Sequence, residues 1–184
     1  MSKIWMTSDL HLGHDREFIW GARGYADVNE MNMKQIEKFN SVVSDEDEVW
    51  ILGDLVLGDI DGGLALLKKL KGKIHVCLGN HDSPKREQAY RDMGWDVQLC
   101  ARIKYKKFNF YLSHYPTLTG NGEDEKALWQ RIWNLCGHLH ITDPYYQMRQ
   151  GLPIYHIEVD AHEGYPVSLD KIIEQIKTFK DKND

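Results

Sequence analysis

Long apolar runs are missing from this 184-residue chain. Nothing approaches the ~20 consecutive apolar residues that cross a bilayer, so no membrane span is expected. The first residues, Met-Ser-Lys-Ile-Trp-Met-Thr-Ser-Asp, reach an aspartate too early for the apolar centre of a signal peptide. A cytoplasmic location is the resulting expectation. Cysteine is scarce as well. Cys77, Cys100 and Cys136 are odd in number and widely spaced, which excludes a disulfide framework and a CxxC metal knuckle. Each is expected to be a small buried hydrophobe beside a strand. Basic charge is short: 23 Lys and Arg against 28 Asp and Glu leave a formal charge of −5. That balance disfavours non-specific nucleic-acid binding, which needs a basic surface. Repeats, low-complexity tracts and Pro/Gly-rich linkers are absent, so residues 1–184 read as one domain.

What is present is an ordinary globular composition, 42% hydrophobic and 28% charged, with nine histidines whose positions carry information. Apolar patterning predicts strands at Lys3–Thr7, Glu48–Leu52, Lys73–Leu78, Val97–Tyr105, Phe108–Leu112, Trp133–Cys136 and Ile154–Val159. Helices are predicted over Glu30–Val43, Gly63–Leu70 and Pro84–Met93. A last helix is capped by Ser168 and carries Leu169, Ile172, Ile173, Ile176 and Phe179. Residues 15–29 read as irregular, and Lys180–Asp184 as a fraying tail. The first half alternates strand and helix, which implies parallel pairing, and the second half is rich in strands. Two packed sheets with helices outside fit both halves.

Five polar groups stand just beyond apolar strands: Asp9-Leu10-His11, Gly53-Asp54, Gly79-Asn80-His81-Asp82, Ser113-His114 and Gly137-His138-Leu139-His140. In open α/β sheets ligands bind beyond the carboxyl ends of strands, so five such ends point to one place. Singly, each group reads better as turn chemistry, a helix cap or a structural histidine. Together they collect carboxylate, amide and imidazole ligands without thiolate. That set suits Mn, Fe, Co, Ni or Zn better than Ca or Mg. Seven side chains exceed one tetrahedral site, whereas two ions sharing a carboxylate would use them all. Paired ions about 3.5–4 Å apart are an established device of phosphoryl chemistry.

These five blocks, complete and in order over residues 9–140, resemble the signature of the calcineurin-like metallophosphoesterases. The stretch from Phe18 to Asn40 and Ser113-His114-Tyr115-Pro116 further resemble small bacterial and phage-type members. The resemblance implies an α/β fold, a four-layer αββα sandwich of two mixed sheets flanked by helices, with a dinuclear centre. It assigns Asp9, His11 and His140 to one ion, and Asn80, His114 and His138 to the other. Asp54 bridges them. His81 becomes the acid or transition-state donor, and Asp82 orients His81 or a neighbouring loop. The cofactors implied are two divalent transition-metal ions, with manganese favoured.

Two divalent ions would bring the formal charge from −5 to −1, so the acidic balance is no objection to an anionic substrate. His14 follows the first block closely and is expected to line the pocket. Arg23 is expected to clamp a phosphate through its planar fork. Trp20, Tyr25, Trp129 and Trp133 are available to floor a ring, and His75, His156 and His162 read as structural. The expected activity is hydrolysis of small or nucleotide-like phosphodiesters at an open site without a cap domain. A phosphomonoesterase or a nuclease would use the same centre. A non-catalytic metal-binding scaffold is the alternative of a different class, disfavoured because all seven ligand types and His81 are in place.

Overall fold

A computed structural model of the protein describes residues 2–119 and 130–183; Trp129 lies outside them. Short apolar runs in the first half become parallel strands: β1 (Ile4–Thr7), β2 (Glu48–Leu52), β3 (Lys73–Cys77) and β4 (Asp96–Gln98). The first sheet is closed on its other edge by antiparallel β9 (Val167–Ser168), in the order β4-β3-β2-β1-β9. The second sheet holds β5 (Cys100–Tyr105), β6 (Phe108–Ser113), β7 (Ile132–Cys136) and β8 (Ile154–His156) in sequence order. Its β5–β6 pair is antiparallel and the other two are parallel. Both sheets are mixed and flanked by helices, as in the metallo-dependent phosphatase fold.

Alternation along each strand supplies two cores. Trp50 and Leu52 of β2 face the second sheet, where they join Phe110, Leu112, Trp133 and Leu135. Val49 and Ile51 face the other way, into a cluster with Phe39, Leu67 and Tyr90. These last three come from α2 (Val28–Val42), α3 (Ile60–Leu67) and α4 (Pro84–Asp92). Each large side chain buried in this way contributes about 1.5–3 kcal/mol of hydrophobic stabilisation. The last helix, which we call α5 (Leu169–Asn183), places Ile172 and Ile176 in the core shared by the sheets. Its backbone stays helical through Asn183, so the fraying expected from Lys180 does not occur up to that residue. Ser168 accepts from the Lys171 backbone N–H at 3.3 Å, the expected cap. Among the described residues no helix is long and apolar enough to cross a membrane.

Five details depart from the sequence reading. Residues 15–29 contain a short helix, α1 (Glu17–Trp20), and α2 starts at Val28 rather than Glu30. Asp27 accepts from Glu30 N at 2.9 Å while the Glu30 carboxylate accepts from Ala26 N at 2.7 Å, a reciprocal cap that moves the start upstream. Likewise Asp59 accepts from Gly62 N, starting α3 at Ile60. The run Val97–Tyr105 is two strands, because the chain leaves the first sheet after Gln98 and enters the second at Cys100, with Leu99 exposed between them. Cys100 is therefore an exposed residue at the sheet edge, whereas Cys77 and Cys136 are buried as expected.

Candidate metal centre

Parallel pairing sends the carboxyl ends of β1, β2 and β3 to one side, and those of β6 and β7 meet them there. The ends are stitched together by main-chain bonds: Asp9 N to Gly53 O, His11 N to Asp54 O and Gly137 N to His114 O, all 3.0 Å. Five of the seven expected ligands then adopt left-handed backbone, with φ of 57° at Asp9, 51° at His11, 55° at Asp54, 74° at His138 and 51° at His140. Such conformations are uncommon outside glycine and cluster where surroundings enforce them for function. Glycine at 137 follows from the same crowding. A Cβ there would overlap the Asp9 carboxylate and the Ser8 hydroxyl.

Asp9, His11 and His140 turn three ligand atoms toward one point. His11 Nε2 lies 3.0 Å from His140 Nε2 and 3.9 Å from Asp9 Oδ1, and His140 Nε2 lies 3.7 Å from Asp9 Oδ1. A point equidistant from these atoms sits about 2.1 Å from each, the length of a bond from a divalent ion to imidazole or carboxylate. Asp9 Oδ1 is buried without a hydrogen-bond partner, which an anion tolerates only beside a cation. Its other oxygen accepts from the Ser8 hydroxyl at 2.5 Å and from His138 N at 3.0 Å. These residues fit a divalent ion.

His114 anchors the neighbouring set. Its Nδ1 donates to the Leu52 carbonyl at 2.9 Å, which aims Nε2 at the cluster. Nε2 lies 2.8 Å from Asn80 Oδ1. His138 Nδ1 is 3.2 Å from the same nitrogen. Asp54 stands between the sets, its Oδ2 3.8 Å from His11 Nε2 and 3.6 Å from His114 Nε2. The ligand atoms of Asp9, Asp54 and His114 also lie within 4.8 Å of one another.

Three further residues brace this cluster. Asp82 is buried, and its oxygens accept from Asp54 N, Gly79 N and the Tyr90 hydroxyl at 2.8, 2.9 and 2.9 Å. It orients the loops that carry Asp54 and Asn80, does not bond the His81 ring, and is a positioning residue rather than a catalytic one. Arg23 does not await a phosphate. Its Nε and Nη2 grip both oxygens of Asp160 at 2.9 Å, and its remaining N–H groups reach the Asp9 and Leu10 carbonyls and Met31 sulfur. Asp160, absent from the sequence reading, accepts from His140 Nδ1 at 3.0 Å. A carboxylate behind a histidine fixes its tautomer and aims Nε2 at the metal.

His81 is half-exposed, with Nε2 3.9 Å from Asp54 Oδ2. It shares a cavity of about 620 Å³ with His11, His14, Arg23, His140 and Asp160. His14 thus stands on the cavity wall. Of the ring-binding candidates, Trp133 is core, Trp20 bonds Asp15 and Tyr25 meets Lys38. Their place is taken by Phe18, on the cavity and exposed. His75 stacks on Trp50, and His156 is buried against Glu158 and Gln147.

Burial sets the protonation of the cluster. It pushes His11 down to about 2, with help from His140 and Arg23, so this imidazole is neutral and able to ligate. It pushes Asp9 up to about 6 against the pull of His114 and His140. Burial also opposes the His140 cation, but its hydrogen bond to Asp160 and the charge of Asp9 prevail and raise it.

A sandwich of two mixed sheets whose strand ends gather carboxylate, amide and imidazole ligands defines a metal-dependent phosphoester hydrolase. The chain belongs to the calcineurin-like phosphoesterases, whose family profile matches residues 2–183. It is 32% identical to an uncharacterized protein of Methanocaldococcus jannaschii, covering 100% of this chain and 98% of that one. It is also 30% identical to the gene 66 protein of Mycobacterium phage L5, covering 96% and 95%. A protein of unknown function from Aquifex aeolicus has the same fold, with a TM-score of 0.72 at 20% identity over 95% of this chain and 100% of that one. The family implies divalent metal ions and a phosphate-ester substrate.

Proposed function

We propose that the protein is a dinuclear phosphodiesterase of small, nucleotide-like esters, working in the cytoplasm as one domain over residues 1–184 without a cap. The observation that carries the second ion is Asp54, whose single oxygen lies within 4 Å of histidines from both sets. Two ions would be held by Asp9, His11 and His140, and by Asn80, His114 and His138, with Asp54 shared. The mixed ligand set favours Mn, with Fe, Ni, Co or Zn as alternatives. When bound, such ions polarise phosphoryl oxygens and acidify water.

The chain's own groups do the rest. Asp160 and the Leu52 carbonyl hold the His140 and His114 tautomers, and Asp82 fixes the loops of Asp54 and Asn80. His81 stands beside the cluster on the cavity and holds the proton for the leaving oxygen, a contribution of roughly 10²–10⁴-fold. A diester is favoured over a monoester because, among the described residues, the arginine on the cavity wall is already neutralised by Asp160, leaving no unpaired arginine or lysine on that wall for a further negative charge.

The test is turnover on a panel of mono- and diesters by metal-stripped protein with Mn, Ni, Co, Zn and Mg restored. Diester hydrolysis with two ions per chain is expected. His81→Asn should keep both ions and lose about 10²-fold or more in kcat on alkyl esters, and much less on nitrophenyl esters, whose leaving group needs little protonation. Loss of an ion in that variant would make His81 a ligand.

A further inference from the structure

The cavity beside the cluster has two unlike halves. Its inner half is His11, His81 and His140; its outer half is Phe18, Ile19, Ala22 and Leu57. At about 620 Å³ it has the size of a small-molecule site. The apolar wall comes from α1 and the turn after it, together with the loop beyond Leu55. Within α1 the division of labour is sharp. Ile19 is buried at 8% exposure and anchors the helix, while its neighbour Phe18 is 70% exposed and contributes nothing to the core. Instead Phe18 meets the His14 ring edge to face, with centroids 5.8 Å apart and planes at 89°. His14 in turn lies 5.5 Å from His11. A series of rings therefore runs from the ligand cluster to the mouth of the cavity.

Fixed charge in this cavity is internally cancelled. Arg23 and Asp160 grip each other through two bonds of 2.9 Å, and among the described residues no lysine is on the wall. The outer half offers ring edges and faces and aliphatic contact, and among the described residues the cation beside it, Arg16, stands on the adjoining groove. His81 opens onto the same cavity, and a general acid must stand beside the oxygen that departs.

We propose that this wall is the leaving-group subsite and that it takes an uncharged planar ring, such as a nucleobase or aryl group, on the departing alcohol. The proposal rests on the phosphodiesterase reading above and specifies its substrate class. Water adds to phosphorus and gives up one proton to solvent, the bond to the ring-bearing alcohol oxygen breaks, and that oxygen leaves with the proton from His81, which solvent then replaces. The ring lies against Phe18 and His14, with Ile19 and Leu57 behind. A departing arm that carries a second phosphate or a carboxylate would lose hydration against this apolar wall, since Arg16, beside His14, stands on the adjoining groove and not on the wall itself.

Three diesters with a common methyl arm test this on Mn-loaded full-length protein: benzyl methyl phosphate, ethyl methyl phosphate and 4-carboxybenzyl methyl phosphate. Stacking of one ring predicts about a 10-fold preference in kcat/KM for benzyl over ethyl, expressed mainly in KM. The carboxylated ester should lose most of that preference. Phe18→Ala should collapse the benzyl-to-ethyl ratio toward one, and Phe18→Trp should restore it. Equal rates on benzyl and ethyl esters in the unaltered protein, or a ratio that Phe18→Ala does not move, would overturn the subsite. Calorimetric binding of benzyl methylphosphonate and ethyl methylphosphonate separates this failure from that of the parent reading. Absence of diester turnover with the benzyl compound still bound about 10-fold tighter, and through Phe18, would sink the phosphodiesterase and keep the ring site. Equal binding of the two would sink the ring site.

Discussion

The two ligand sets of the centre are braced differently. On the Asp9, His11 and His140 side, the rear nitrogen of His140 meets a carboxylate, Asp160, itself clamped by Arg23. On the Asn80, His114 and His138 side, the rear nitrogen of His114 meets only the neutral carbonyl of Leu52, and Asn80 is exposed. A carboxylate partner makes an imidazole a stronger electron donor, whereas a carbonyl mainly orients it. On the two-ion reading proposed above, the first set would hold its ion more tightly than the second, with Asp54 coupling them.

Three measurements bear on that asymmetry. The largest effect is expected from removing what the halves share. Asp54→Ala should weaken both ions and lower kcat by about 10³-fold or more, as both charge stabilisation and positioning are lost. If either ion kept its original affinity, Asp54 would belong to one side only. A selective effect comes next. Asp160→Asn should weaken one ion by about 10–100-fold and spare the other, read by stepwise removal with a graded chelator. Equal losses at both sites would erase the asymmetry.

The smallest effect is the pH response of the metal-free protein. Burial lowers His11 to about 2 and also lowers His14, His138 and His162 from their ordinary value near 6.5. Below pH 6.5 the unfolded chain takes up protons that these folded imidazoles refuse, so stability falls with pH. Asp9, raised to about 6, works in the opposite sense between pH 6 and its unfolded value of 3.8, and does not outweigh four histidines. His140, raised as well, stabilises most at low pH and loses that contribution as pH rises through its folded value. Melting in chelator should therefore drop between pH 6.5 and 5, by at least about 2–4 °C. A flat or rising Tm would show that the carboxylate side governs the apo cluster. Added Mn should steepen the dependence, since ligands must be deprotonated to bind.

Most of this arrangement was legible in the chain because strand ends advertise themselves. An apolar run followed by Gly-Asp, Gly-Asn-His or Gly-His is a local signal, and five of them sum to a site. Asp160 directly follows the expected strand Ile154–Val159 and opens an Asp-Ala-His run, a signal like that of Asp9 which the reading of the strand ends passed over. It sits in a 3₁₀ turn after β8, and tertiary packing brings it to His140. Arg23 was visible as a cation, but a sequence does not reveal that a carboxylate 137 positions away has claimed it. The sheet crossing at Leu99 was hidden for a related reason: β4 and β5 adjoin without a turn residue between them, so the pattern reads as one strand. β9, two residues long, is too short to show any period.

The left-handed backbone at Asp9, His11, Asp54, His138 and His140 has a consequence for how such a centre changes over evolutionary time. Two filters act on each of these positions at once. The metal selects by donor atom, and the torsion selects by shape. Asp, Asn and His pass both, because they ligate and also tolerate positive φ better than other side chains. Glutamate or cysteine passes the first filter and is penalised by the second, by about 1–2 kcal/mol for a residue forced into this region. Drift within the centre is thus channelled into exchanges among those three residues. Where ligation is lost altogether, glycine is the gentler replacement and alanine the harsher one, the reverse of their order in a helix.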